Sequence, residues 1–443
     1  RHFALAGPNA GCRFLTRSGF EESYPPIEYA CGNNASDHEV TRPDLGDPIS
    51  AGGDVMSIRL STTPKLTRVL LALTTLLALT ACTVTSESDP VTDPSPATAA
   101  PDYVALENAI ETKIKSGSVG WDTINAVMVS VEGQTVIAHY RNGQRPDQAI
   151  HVWSVTKSVT SALIGIAIFD GVIESLDQTL PELLPNYRQH MTDAEAKVTL
   201  RQLMDMTAGF PGDEPVENIW KVFSYRGDPV AMILADGLTN DPGTIYEYSS
   251  RSAHLVTAVL ADALRQTGGD HPRTVLDYAR EKLFDPLEID SRPAYENRGS
   301  LPTPPSFDAV GFGWATDAVG LHSGCCMLRL RATDMVKIGE LYLGDGVWQG
   351  RRILPAGWVE TSTTPSSVNP EYGLMWLRTT TINQTTAHTT YLARGFGGQL
   401  VAVVPDLRMV VAIGAVPTEE YSIPSSDVSF LLTDVILPAL DTR

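Results

Sequence analysis

Strand-like runs stand near both ends of this chain, with a long helical stretch between them. Ile124–Val131 and Thr135–Tyr140 are rich in β-branched and apolar residues around Glu132-Gly133, which reads as a hairpin. Strand signals return at Tyr372–Arg378, Gln399–Val404 and Met409–Ala415, with Pro405-Asp406 as a turn between the last two. Between these, from Ser154 to about Leu343, the spacing predicts helices. Examples are Ser154–Asp170, Leu200–Met206, Ser252–Gln266 and Ala332–Leu343. Tyr103–Lys115 has helical spacing ahead of the first strand. Val428–Leu437 reads as a closing helix, with Asp427 as its cap and Pro438 at its stop. This order predicts an α/β (α+β) domain: one antiparallel sheet built from both termini, helices on it, and a mostly helical middle subdomain over about 154–343.

The segment ahead of that domain predicts a compartment. Residues 1–55 are turn-rich and carry no sustained period. Met56 then opens MSIRLSTTPKLTRVLLALTTLLALTAC, in which Arg59, Lys65 and Arg68 form a basic region before the apolar run Val69–Leu79. That run is shorter than the roughly 20 helical residues a bilayer requires, and it suits a secretory signal. Its end, Leu79-Thr80-Ala81-Cys82, resembles a bacterial lipobox with Cys82 as the lipidated residue. The expectation is therefore upstream translation over 1–55, a lipoprotein signal over 56–81, and an extracytoplasmic, lipid-anchored protein on the bacterial cell envelope. Residues 82–101, rich in Ser, Thr, Pro and Asp, would be a flexible tether, and 102–443 the folded domain.

Composition narrows the function classes. The chain has 443 residues, 43% hydrophobic and 19% charged, with a formal net charge of −19. That balance suits a soluble globular domain. Its acidity speaks against a nucleic-acid partner, whose phosphates would be repelled. Of five Cys, only Cys325 and Cys326 fall within the predicted domain. Adjacent cysteines either close a strained ring disulfide or pack as small buried residues, and the second is expected here. Nine scattered His without an H-E-x-x-H give no support for a metal site, and no cofactor is implied.

Three motifs carry chemistry. In Ser154-Val155-Thr156-Lys157 the hydroxyl and the ammonium lie one turn apart at the start of the predicted helix SVTKSVTSALIGIAIFDG, on one face. A serine is a weak nucleophile until a neighbour takes its proton, and a desolvated lysine can do so. Taken alone, the pair reads first as a helix cap followed by a solvated lysine. In Pro242-Gly243-Thr244-Ile245-Tyr246-Glu247-Tyr248-Ser249-Ser250 a turn leads to tyrosines just before a helix. Tyr248 beside a lysine ammonium would have its phenolate favoured and could serve as a base. In Arg394-Gly395-Phe396-Gly397-Gly398-Gln399 the glycines let backbone N–H groups approach a ligand closely. One of these, with that of Ser154, could form an oxyanion hole.

Motifs in this order, S-x-x-K, then Y-S-x, then a late Gly-rich strand, resemble the serine β-lactamase and penicillin-binding-protein superfamily. The stretches VTLRQLMDMTAGF, PGTIYEYSS, LRLRATDMVKIGELYLGDGVWQGRRILP and YLARGFGGQLVAVVPDLRMVVAI are similar to its branch of class C-like esterases and 6-aminohexanoate-dimer hydrolases. The resemblance covers about Ile124 to Ile423. It implies a β-lactamase/transpeptidase-like fold and a serine hydrolase acting on a small-molecule ester or amide. Ser154 would be acylated, and Lys157 and Tyr248 would move its proton as a coupled pair. The backbone N–H groups of Ser154 and Phe396 would hold the oxyanion. Two departures stand out: Ala393-Arg394-Gly395 where penicillin-recognising members have Lys-Thr-Gly, and Ser250 where many have Asn. The missing strand lysine disfavours β-lactam and D-Ala-D-Ala substrates unless Arg394 replaces it. A class C-like β-lactamase or D-alanyl carboxypeptidase is the first alternative, and a non-catalytic envelope-binding lipoprotein the second. Trp220, Tyr225, Tyr372, Trp376, Arg394 and Gly395 are the candidate pocket residues.

Overall fold

In the hairpin that opens the sheet, Glu132 and Gly133 both take positive φ, 52° and 76°. A two-residue turn of that hand matches strand twist, and it folds β1 (Ile124–Val131) onto β2 (Gln134–Tyr140). The structure is a computed structural model that describes residues 101–214, 217–268, 273–294, 311–383, 386–418, 422–424 and 426–441, without the side chains of 217–220. The expected leader, signal, Cys82 lipidation site and most of the tether lie outside the described residues.

Three short pieces follow β2 in the strand count: β3 (Ile150–His151), β4 (Gly313–Trp314) and β5 (Leu328–Leu330). They form a small antiparallel sheet in the order β3-β5-β4. Next come the two-residue strands β6 (Val347–Trp348) and β7 (Arg351–Arg352), a separate hairpin. The C-terminal strands are β8 (Leu377–Asn383), β9 (Thr386–Gly395), β10 (Gln399–Val404) and β11 (Met409–Ala415). The main sheet runs β2-β1-β11-β10-β9-β8, so strands from the two ends of the domain meet where β1 pairs antiparallel with β11.

Both faces of this sheet are covered, and the strand alternation shows how. Val127, Val129, Leu392, Leu400, Ala402, Val411 and Ile413 face one hydrophobic cluster with α1 (Tyr103–Ser116) and the C-terminal helical segment. Ala126, Met128, Ala393, Val401, Val403, Val410 and Ala412 face the other. There they pack on α2 (Val155–Phe169) and on a helix over Ala332–Leu343. Consecutive residues on opposite faces are what a strand buried on both sides requires. Between α2 and that later helix lie α3 (Leu200–Met204), α4 (Glu217–Ser224), α5 (Pro229–Asp236) and α6 (Ser250–Thr267), the helical middle.

Three expectations need correction. The strand expected at Tyr372–Arg378 begins only at Leu377, because Tyr372 turns inward and makes an isolated bridge to Leu377. Strand β9 was not anticipated, since TAHTTYLARG mixes threonines with few large apolar residues. The closing helix starts after Val428, not Asp427, and runs on to Leu440 through a wide turn over Leu432–Ile436. Pro438 sits at the start of its last segment, where its missing N–H is tolerated, and does not stop it.

Candidate active site

Strand β3 delivers the chain to the site. Val152 donates its N–H to Leu328 O at 3.0 Å, which ties the strand's end to β5. Trp153 then takes φ 48°, left-handed backbone that a bulky residue seldom adopts. This one residue turns the extended chain into α2, and Ser154 stands at the helix's N-cap. A capping serine has extended backbone and accepts a bond from the first turn. Ser154 does neither: its φ and ψ are −68° and −7°, and its hydroxyl makes no cap bond. The hydroxyl instead lies 3.0 Å from Lys157 Nζ.

Lys157 is 1% exposed. Besides Ser154 Oγ, its Nζ meets Ser250 Oγ at 3.1 Å and the Cys325 carbonyl at 3.2 Å. Three partners suit both protonation states. An ammonium donates to all three. An amine donates to Ser250 and Cys325 and accepts from the Ser154 hydroxyl. Neither form leaves this buried nitrogen without partners.

Tyr248 comes from the turn before α6. Lys157 Nζ stands 4.6 Å from its ring centroid. The lysine therefore sits over the aromatic face, a cation–π arrangement. Burial pushes the phenol well above the usual tyrosine range, the Asp213 carboxylate adds to that, and the neighbouring Ser154 side chain opposes it. The expectation of a favoured phenolate is thus corrected, and Tyr248 is held as a phenol. Behind it, Tyr372 is 4% exposed, with its ring edge-to-face to Tyr248 at 6.1 Å and 5.3 Å from Tyr246.

Asp213 is a member of this group that sequence reading missed. It accepts the Ser250 N–H at 2.6 Å and the Ser250 hydroxyl at 2.9 Å, so it caps α6 and reaches Lys157 through one hydroxyl. Burial raises its carboxyl, and the Lys157 charge and the Ser250 bonds pull it down, leaving it above the usual aspartate value. No periodicity marks Asp213; it follows Pro211-Gly212 in a loop, and only the fold brings it to α6. Ser250 passes the connection on.

The Gly-rich strand end closes the other side. A Cβ placed on Gly395 would lie 2.4 Å from Val152 O, so β9 rests directly against the turn into Ser154. Only glycine permits that approach. The Phe396 ring then meets Trp153 edge-on at 5.3 Å. Ser154, Lys157, Tyr248, Phe396, Gly395 and Tyr372 are thereby gathered at the start of α2.

Two of the other pocket expectations, Arg394 and Trp376, do not gather there. Arg394 lies on the opposite side of β9 from Ala393, donates to Ser429 Oγ at 3.1 Å, and so faces the C-terminal helix. Strand alternation prevents it from standing in for the absent lysine. Trp376 is fully buried, 4.2 Å from the Tyr342 ring, and belongs to the core. Tyr225 is 44% exposed, with its ring beside Gly227. The backbone of Trp220 is in α4, and its side chain lies outside the described residues. Among the described residues no group of three or more His, Cys, Asp or Glu could hold a metal ion.

Comparison with known proteins gives the family. The sequence matches the family described as Beta-lactamase over residues 125–419. The 6-aminohexanoate-dimer hydrolase of Paenarthrobacter ureafaciens is 24% identical over 259 residues, 54% of this chain and 57% of that protein. Protein flp of Staphylococcus aureus (strain COL) is 22% identical over 170 residues, 37% of this chain and 34% of that protein. The chain thus spans about half of one curated relative and about a third of the other. A solved D-stereospecific amidohydrolase from Streptomyces sp. superposes with a TM-score of 0.54 at 18% identity, covering 74% of this chain and 98% of that one, and so shares the fold.

Proposed function

From the premise that this chain belongs to the β-lactamase family of serine hydrolases, we propose that it cleaves a carboxylic ester or amide through an acyl-enzyme on Ser154. The observation that carries the reading is Ser154 Oγ, held at 3.0 Å from the buried Lys157 Nζ rather than capping its helix, with that nitrogen over the Tyr248 ring.

Ser154 Oγ attacks the substrate carbonyl carbon, and the amine form of Lys157 takes its proton. The backbone N–H groups of Ser154 and Phe396 stabilise the oxyanion, a contribution worth about 2.7–4 kcal/mol per donor in comparable enzymes. The Tyr248 phenol supplies the leaving group's proton, and the Lys157 ammonium returns its own proton to the phenolate, which restores amine and phenol. Water then attacks the ester on Ser154, and the pair takes its proton in turn, as the reverse path requires.

Ester and neutral amide substrates are favoured over β-lactams. Ala393 replaces the strand lysine and packs into the core, and Arg394 points to the opposite face. The names of the dimer hydrolase and the amidohydrolase make amides a class to assay beside esters. A fluorophosphonate probe followed by peptide mass spectrometry tests the nucleophile: an adduct off Ser154, or full hydrolysis by Ser154→Ala, overturns the assignment. A p-nitrophenyl ester and a chromogenic cephalosporin, run side by side, separate the esterase reading from the penicillin-recognising one.

We also propose that Cys82 carries a lipid and anchors the domain outside the cytoplasm, on the strength of its lipobox-like context. Labelling with a lipid precursor that survives Cys82→Ser would refute this.

A further inference from the structure

Cys325 and Cys326 sit in the wall of this centre and take no part in the hydrolysis proposed above. Both are buried and free, and their sulfurs lie 2.7 Å apart. The Ser323 hydroxyl stands 3.5 Å and 3.6 Å from the two sulfurs. The peptide that joins them begins with the Cys325 carbonyl, which is the one on Lys157 Nζ at 3.2 Å. On the other side His254, one turn along α6 from Ser250, is bonded to Asp317 at 3.0 Å.

These surroundings separate the two thiols chemically. Burial works to raise Cys325, but the bond from Cys326, the Lys157 charge, the Ser323 bond and the His254 charge hold it below the usual thiol range. Cys326 is pushed well up, first by burial and then by Cys325 itself. Two sulfurs in contact at 2.7 Å, one of them favoured as the thiolate by the Lys157 charge, have the arrangement of an attacking and a resolving cysteine.

We propose that Cys325 and Cys326 form a reversible disulfide that switches the Ser154 centre off. A peroxide is the oxidant. The Cys325 thiolate attacks one peroxide oxygen, the O–O bond breaks, and Cys325 becomes a sulfenic acid as hydroxide leaves. The Cys326 sulfur then displaces that hydroxyl as water, and the S–S bond forms. Two thiols lose two hydrogens and two electrons, and hydrogen peroxide becomes two waters. A dithiol reductant reverses the exchange.

The coupling to hydrolysis is geometric. Adjacent Cα atoms stand about 3.8 Å apart across a peptide, short of the roughly 4.4–6.8 Å that a disulfide prefers. Closing the ring must therefore distort the joining peptide and turn its carbonyl away from Lys157. Lys157 then loses one of three partners and its aim at Ser154. This coupling rests on the proposed role of Lys157; formation of the bond does not.

The test uses the full chain, reduced, exposed to hydrogen peroxide and divided between two readouts. No other cysteine shares a tryptic peptide with Cys325 and Cys326, so their peptide reports alone. The expected result is that this peptide loses two hydrogens, that hydrolysis of a p-nitrophenyl ester falls roughly tenfold or more, and that dithiothreitol restores both. Cys326→Ala should keep its hydrolysis through the same exposure. An unchanged peptide, or one carrying only sulfinic and sulfonic acids, overturns the disulfide. Complete disulfide with undiminished hydrolysis overturns the switch. Absence of hydrolysis in the reduced protein would instead overturn the Ser154 reading, and the peptide mass would still decide whether the bond forms.

Discussion

Gly395→Ala isolates the contribution of the strand end to the reaction. The new Cβ would lie 2.4 Å from Val152 O and 2.9 Å from Gln399 Cβ. A carbon and a carbonyl oxygen settle at about 3.3–3.6 Å, so roughly 1 Å of separation must be found. Neither neighbour yields easily. Val152 is tied to Leu328, and the Gln399 amide is locked in both directions on Ala415, at 2.7 Å and 3.1 Å. The strand end must therefore move and take the Phe396 N–H with it. Overpacking of this kind destabilises by about 1–3 kcal/mol. A displaced oxyanion donor lowers kcat by about 10²-fold. Steady-state kinetics on an ester, paired with urea unfolding, measures both. The expected pattern is a fall in kcat with a smaller change in KM in a folded protein. A folded variant with kcat within about twofold of the parent would refute the placement of Phe396 in the oxyanion hole.

Three further outcomes follow from the same geometry. Tyr248→Phe keeps the ring under Lys157 but removes the hydroxyl, so kcat should fall by about 10²-fold or more; a loss under tenfold would remove the phenol from the proton path. Asp213→Asn imitates the protonated acid, whose carboxyl is raised above the usual aspartate range. Its kcat/KM should be roughly tenfold lower at neutral pH, without the bend where Asp213 titrates in the parent, and an unchanged pH profile contradicts its part in the network. Glu111 is a stability case: burial works to raise its carboxyl, but bonds from His139 and Lys115 and the Arg141 charge hold it at about 2. A depressed carboxyl stabilises the fold above its unfolded value, near 4.5, and that stabilisation is lost as pH falls toward 2. Glu111→Gln should therefore lower Tm at pH 7 and converge with the parent under acid; a gap that stays constant with pH would contradict it.

Much of the fold was legible because burial on two faces leaves long apolar strands, and QLVAVV and MVVAIGA are such strands. Strand β9 was hidden for the opposite reason. Its outer half alternates exposed and buried threonines and histidine, and only pairing with β8 and β10 makes it a strand. The short strands β3, β4 and β5 leave no periodic trace at all, yet β3 is what aims Ser154.

The same distinction separates the legible from the hidden parts of the site. Ser154 and Lys157 share one helix, so their meeting follows from a three-residue spacing. Tyr248 required the resemblance to point at it, since nothing local to PGTIYEYSS brings it to α2. Asp213 and the Cys325 carbonyl reach Lys157 through loops, and one of them is a backbone atom that no side-chain pattern can announce. The assignment of Arg394 failed on parity: one step along a strand reverses the face, so a residue next to the motif position is the least able to replace it. A cation that could take over from the missing lysine would have to stand at position 393. The specific consequence is that Ala393→Lys, not any change at Arg394, is the substitution that would turn this centre toward anionic substrates.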